Sequence, residues 1–317
     1  MDGLLIVDKP VGPSSHDVVV RVRRALREKR IGHTGTLDPL ASGILALVLG
    51  RATRLAKYLS GDDKTYEADI RLGVATTTYD AKGAATAAAY SGEWPDRVTI
   101  DRALDEFRGT FAQQPPPYSA KMIDGKRSYT LARKATAETL TMPALAEVAT
   151  RTIDLVEVAG DRIRMRVECS AGFYIRSLAH DLGVRLGTGA HLTGLRRTAA
   201  GDFTLAQAVP ADLVERHPEQ AAAAVIPLAA MLPGLAIAFL NESGEQRVAH
   251  GRDLGPADVT ERRPSTGSGR PERADGRASL STGGRAGIRL VDRQGRLLGI
   301  AEEGARSGLL HPSVVLM

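Results

Sequence analysis

Between Gly32 and Gly43 the chain reads Gly32-His33-Thr34-Gly35-Thr36-Leu37-Asp38-Pro39-Leu40-Ala41-Ser42-Gly43, with three glycines, two threonines, a serine and a proline in twelve positions. That composition supplies neither a helical stripe nor a strand alternation, so the stretch is expected to be irregular backbone. Pro39 has a fixed φ and biases Asp38 towards extended dihedrals, which aims the carboxylate. Composition alone also fits an ordinary Asp-Pro turn. The residues that follow favour more: Ile44 to Leu49 is an unbroken apolar run bounded by Gly43 and Gly50, as expected of a strand buried on both faces. A polar, irregular loop at the mouth of such a strand sits where ligands meet a rigid scaffold. Asp38 is therefore the first catalytic candidate.

A chain of 317 residues is long for one domain, and a hydrophobic fraction of 43% is enough for a sizeable core. The formal charge of +5 and sequence pI near 9.4 favour an anionic partner, nucleic acid first. Cys169 is the only cysteine, which excludes a disulfide framework or a cysteine-based zinc site within the chain. It alternates with charged residues and reads as a buried strand position, not a nucleophile. Leu4-Leu5-Ile6-Val7 is too short for a signal peptide and is followed by Asp8, and no run approaches a membrane span, so a soluble cytoplasmic protein is expected.

Taken in order, Leu4 to Val7 predicts a strand, and Ser14 with Asp17 has the form of a capping box for a helix with Val18, Val22 and Leu26 inward. Arg21, Arg23, Arg24, Arg27, Lys29 and Arg30 crowd its other positions against Glu28 alone, an imbalance that suits either a solvated face or phosphate contact. Arg51 to Leu59 predicts a short helix. Lys64 to Leu72 alternates and turns Tyr66, Ala68, Ile70 and Leu72 to one face of a strand. Residues 75–96 read as a surface excursion, followed by a helix that Thr99 caps and Gly109 ends. Three consecutive prolines, 115–117, favour extended geometry. Lys121, Lys126, Arg127, Arg133 and Lys134, interleaved with Tyr118 and Tyr129, suit a strand of RNA.

Thr152 to Val158 and Arg162 to Ser170 predict an antiparallel pair. If 173–176 is extended, Tyr174 and Arg176 share a face ahead of a helix with Leu178, Leu182 and Leu186 inward. His191 to Arg197 reads as a basic step that closes this unit. Residues 205–232 read as helical and alanine-rich with Pro227 and Pro233 as interruptions, and the tail from 235 as a small β unit interrupted by 255–286, which has scarcely any large apolar residue and is expected to be disordered. The expected division is a catalytic domain over 1–233 and a second domain over 234–317.

Lys9-Pro10 with Ser14-Ser15-His16-Asp17, Gly32 through Pro39, Lys64-Thr65-Tyr66, Pro116-Pro117-Tyr118-Ser119-Ala120-Lys121, and Gly172-Phe173-Tyr174-Ile175-Arg176 with Leu195-Arg196-Arg197 occur in that order. Together they closely resemble the TruB-type tRNA pseudouridine synthases. The resemblance implies an α/β catalytic domain built on a mixed, mainly antiparallel sheet flanked by helices, followed by a small β-rich PUA-like RNA-binding domain. It implies isomerisation of uridine 55 in the T loop of tRNA, with no cofactor and no metal, by a monomer that flips the nucleotide out of its stack. By motif, Asp38 matches the catalytic aspartate, Tyr66 the tyrosine on the target base and Arg176 the arginine paired with the aspartate. His33 matches a histidine that contacts the T loop, and Tyr174 and Leu195 match residues that line the pocket. The chain departs from the family's pattern around 135–148, which lacks the expected glycine and Glu-Arg-Pro element.

The chemistry agrees with the residues. Carboxylates are ionised at neutral pH and can act as nucleophile or base. An arginine holds such a charge in a partly desolvated pocket, and an aromatic ring confines a freed base by stacking. Two rival readings remain at this level: a tRNA-binding or folding module without catalysis, and a metal site built from His16, Asp17, His33 and Asp38. A phosphate-binding P-loop is excluded, because neither Gly35 nor Gly43 is followed by Lys-Ser or Lys-Thr.

Overall fold

The computed structural model describes residues 1–136, 139–264, 287–304 and 308–317. Contacts divide the chain into two compact units, one made of 1–39, 43–62 and 201–317, the other of 40–42 and 63–200.

In the first unit, strand Gly3–Lys9 pairs antiparallel with the apolar run, from Gly3 opposite Leu49 to Lys9 opposite Gly43. Val209–Pro210 joins its other edge in parallel, and Ile226–Pro227 pairs antiparallel with Gly3 and Leu4. The pairing at 226–227 falls at the expected interruption at Pro227, whereas that at 209–210 breaks the helical pattern where none is expected; both depend on a partner two hundred residues away, not on local periodicity. Helix Ser15–Leu26 lies over this sheet and buries Val18, Val19 and Val22 against Leu5, Val7, Leu45 and Leu47. Its start is the expected capping box: the Asp17 amide donates to the Ser14 hydroxyl at 3.2 Å, and the Ser14 amide donates to the Asp17 carboxylate at 2.8 Å. Arg27, in the left-handed region at φ 52°, ends it.

The tail of the chain carries a five-stranded sheet in the order 259–263, 236–240, 288–291, 297–303, 310–315, with its own core of Ala238, Leu240, Val248, Leu290 and Leu298. A helix that the sequence reading lacks, Glu242–Ala249, is capped by Asn241, whose side chain accepts the Gly244 amide at 2.9 Å. Within the expected disordered segment, residues 256–258 form a 3-10 turn and Val259–Arg263 forms an edge strand paired with Ile237 to Leu240. Composition misleads there because an edge strand is held by backbone hydrogen bonds and tolerates charges along its length. Residues 265–286 lie outside the described residues. Residues 234–317 have their own sheet and core, yet the Tyr58 hydroxyl meets Ser313 Oγ at 2.9 Å and Arg54 donates to the Val315 carbonyl at 2.6 Å, which groups them with the N-terminal strands.

The second unit is an antiparallel sheet in the order 190–200, 64–72, 162–169, 146–159, 109–113. The alternation of Lys64–Leu72 holds: Tyr66, Ala68, Ile70 and Leu72 are all buried, opposite or beside Ile163, Met165, Val167 and Cys169. Burial pushes the Cys169 thiol far up, so it stays a neutral core residue. Asp96, not Thr99, caps helix Arg97–Leu104, accepting the Thr99 amide at 2.8 Å. Residues 191–197, read as a closing step, belong to the long strand Ala190–Ala200 at one side of this sheet; bulges between Leu192 and Gly194 and between Arg197 and Ala199 break its alternation. Helix Ile175–Arg185 follows strand Arg162–Cys169.

Candidate active site

The stretch around Asp38 is shorter and more tightly held than composition suggests. Ile31–His33 is a strand paired with 47–49, and the next strand begins at Ala41, so irregular backbone is confined to 34–40. The buried Ser15 hydroxyl donates to the Leu37 carbonyl at 2.9 Å and accepts the Leu37 amide at 2.8 Å. One residue beyond Asp38, the Pro39 carbonyl accepts the Gly12 amide at 2.8 Å, and Gly12 sits at φ 115°, open to glycine alone without strain. Both neighbours of Asp38 are thus fixed through their backbones, and Pro39 biases the Asp38 backbone towards extended dihedrals, which sets the direction in which its side chain leaves the chain. His33 precedes this turn as the last residue of its strand and is half-buried.

Two residues after Asp38 the chain enters the second unit. There Ser42 Oγ lies 3.5 Å from the Leu195 carbonyl and accepts Arg196 Nη1 at 3.3 Å. Leu195 pairs with Ala68 and Arg197 with Tyr66, so Leu195 and Tyr66 lie diagonally on one face of neighbouring strands. Tyr66 is only 9% exposed, as the alternation required.

Arg176 is 5% exposed, and a buried guanidinium is costly unless its donors are used. Nη1 donates to the Thr78 carbonyl at 3.0 Å, Nη2 to the Tyr118 carbonyl at 2.8 Å, and Nε lies 3.9 Å from the Asp80 carboxylate. Asp80, itself buried, is held by Thr78 Oγ1 at 2.6 Å and by the Lys82 amide at 2.9 Å. Tyr174 does not share an extended face with Arg176: it is the cap residue of helix 175–185, and Arg176 stands in the first turn. The Tyr174 amide donates to Gln113 Oε1 at 2.8 Å and its carbonyl accepts Gln113 Nε2 at 3.1 Å, which anchors the chain at the start of the helix.

Sequence reasoning missed Ser15, Thr78, Asp80 and the Tyr118 carbonyl. Thr76-Thr77-Thr78-Tyr79-Asp80 lies in the stretch taken as a surface excursion, although Thr76 and Asp80 are buried. The available signal was local: threonines two and four residues before an aspartate can fold a turn back on its carboxylate and carbonyl. Among the described residues no group of three His, Cys, Asp or Glu side chains is placed to share a metal ion, and Asp17 is engaged by Ser14. No helix among them is long and apolar enough to cross a membrane.

A family model for the TruB pseudouridylate synthase N-terminal domain matches residues 23–175, and one for the tRNA pseudouridylate synthase B C-terminal domain matches 176–232. The chain that carries the pinned Asp38 turn and the buried Arg176 thus falls in a class of enzyme that isomerises uridine. The tRNA pseudouridine synthase B of Solibacter usitatus (strain Ellin6076) is 38% identical over the whole of both chains. That of Burkholderia mallei (strain NCTC 10247) is 40% identical over 98% of this chain and 96% of its own. The solved structure of a Cbf5-Nop10-Gar1 complex contains a chain that matches 99% of this one at a TM-score of 0.70 and 25% identity, over 85% of its own length. The chain belongs to the TruB family of pseudouridylate synthases.

Proposed function

We propose that this enzyme converts uridine 55 in the T loop of tRNA to pseudouridine, with Asp38 as the reacting carboxylate. The observation that carries this is the fixing of Leu37 and Pro39 by Ser15 and Gly12, which presents one carboxylate at the entry of a buried strand. The names of the relatives, tRNA pseudouridine synthase B, support tRNA as the substrate.

The reaction is an isomerisation. The bond from N1 of uracil to C1′ breaks, the base turns while held, C5 bonds to C1′, the hydrogen on C5 leaves as a proton and N1 gains one. Asp38 serves as nucleophile or base in this sequence. Tyr66 stacks on the base during its rotation, Arg176 keeps the carboxylate charged, Tyr174 and Leu195 line the pocket, and His33 contacts the T loop. Extruding the nucleotide costs a few kcal/mol of stacking and pairing. Phosphate contacts offset it, and the exposed Arg24, Arg27, Lys29 and Arg30 near the end of helix 15–26 are suited to them. So is the segment 121–134, where the Arg133 guanidinium lies 5.5 Å from the Tyr129 ring centre. The same reading assigns 1–233 to catalysis and 234–317 to a PUA-like RNA-binding part, and makes the enzyme a cytoplasmic monomer that works without cofactor or metal.

The test is to incubate purified protein with unmodified tRNA and map pseudouridine by position. A single modified site in the T loop, formed in the presence of a chelator, is the expected result. Modification elsewhere, or none, contradicts the proposal.

A further inference from the structure

His180 has no part in the roles assigned above, yet it stands one helical turn after Arg176 in helix Ile175–Arg185, and residues four apart share a helix face. The turn 76–83 crosses that face and touches both side chains. Its Thr78 carbonyl accepts Arg176 Nη1 at 3.0 Å, and its Asp80 carboxylate lies 3.9 Å from Arg176 Nε. Between those two residues, the Tyr79 ring stacks on the His180 ring with centroids 3.8 Å apart and planes 9° from parallel.

Tyr79 has φ 64°, in the left-handed region that a residue with a β-carbon adopts only at a cost. The backbone bonds of this turn, from the Leu192 amide to the Tyr79 carbonyl at 3.0 Å and from the Ala81 amide to the Leu192 carbonyl at 2.9 Å, fix where it meets the sheet. They do not account for an aromatic residue at a position where glycine would be easier. The ring contact does, because it adds an attraction that exists only in this conformation. Burial lowers the His180 pKa, so the imidazole meets Tyr79 as a neutral ring. Its Nδ1 is buried with no hydrogen-bond partner among the described residues, and the near-parallel planes show that the flat face of the ring makes the contact.

We propose that His180 is a positioning residue: by clamping Tyr79 in the left-handed conformation, it sets where the Thr78 carbonyl and Asp80 carboxylate hold Arg176. This rests on the reading that Arg176 belongs to the active site. In that arrangement the helix holds the turn at two points, one polar and one aromatic, and loss of the aromatic point lets the polar one drift.

The experiment measures kcat and KM for tRNA by release of tritium from C5-labelled uridine, for wild type, His180→Ala, His180→Phe, Tyr79→Gly and the His180→Ala/Tyr79→Gly double variant, with Asp38→Asn alongside. His180→Ala is expected to lower kcat about tenfold with KM within about twofold, because a displacement of about an ångström near reacting groups has effects of this order or larger. His180→Phe presents the same flat face and should recover wild-type kcat to within about twofold, and the double variant should be no worse than His180→Ala alone. If His180→Ala does not fold, Tyr79→Gly carries the test with the same expected loss. Unchanged kcat in His180→Ala and Tyr79→Gly, a loss confined to KM, or failure of phenylalanine to rescue overturns the proposal. An active Asp38→Asn would instead overturn the reading on which it rests.

Discussion

Asp38 and Arg176 are held in opposite ways. The turn that carries Asp38 is fixed by residues close in sequence: Ser15 is 22 positions from Leu37, and Pro39 is adjacent. Arg176 is fixed by two carbonyls that come from 98 and 58 positions away. A carboxylate proposed to react needs a stiff local mount. A buried guanidinium needs whatever acceptors the completed fold brings to it. The contrast teaches that one region's geometry is written within a single short span, Gly12 to Pro39, whereas the other's appears only once the turn at 78–80 and the segment at 118 have folded onto the helix.

The comparison breaks most visibly at Arg176. Arg176→Ala removes donors to two carbonyls and leaves Asp80 without its cation, and kcat is expected to fall by about 100-fold or more. Arg176→Lys keeps the charge but cannot reach two carbonyls in the planar geometry of a guanidinium, so it should recover little of the loss. A lysine variant with near wild-type turnover would show that charge alone is needed. On the Asp38 side, Ser15→Ala strips Leu37 of both its backbone partners in a buried setting, with an expected loss of about 1–3 kcal/mol in stability to denaturant. Its kcat should fall about tenfold, less than for Arg176→Ala, because Pro39 still restricts the turn. Unaltered stability would mean that the hydroxyl does not hold the loop.

The smallest expected effect sharpens the picture of helix 175–185. Burial pushes the Asp181 carboxyl up to about 6, from an ordinary value of 3.8. The folded protein therefore binds a proton more readily than the unfolded chain between those two values, so this group's contribution to stability falls as pH rises through that window. Asp181→Asn, which removes the buried charge, should raise Tm at pH 7 to 8, and the gain should shrink as the pH is lowered through 6 towards 4. A gain independent of pH would place its origin elsewhere.

Much of the fold was legible where local rules suffice. The Ser14 capping box, the apolar run at 44–49, the alternation at 64–72 and the hairpin around Gly160 all stand as expected. The start of helix 175–185 was not legible, because Tyr174 is arrested by the side chain of Gln113, 61 residues earlier. Strand 190–200 was hidden by two bulges that shift its side chains out of period. Strand 259–263 was hidden by its charges. Of the candidate site, the holding of Arg176 by Asp80 and of Leu37 by Ser15 could not be read from the sequence, since an aspartate in a threonine-rich loop and a serine at a helix start each have an ordinary local use.

The central claim is that Asp38 reacts and that its turn only aims it. Asp38→Asn keeps the size and the backbone geometry of the residue, so tRNA binding measured by filter retention should stay within about twofold of wild type while pseudouridine formation falls by at least about 1,000-fold. Pseudouridine formed at a comparable rate by this variant would contradict the account.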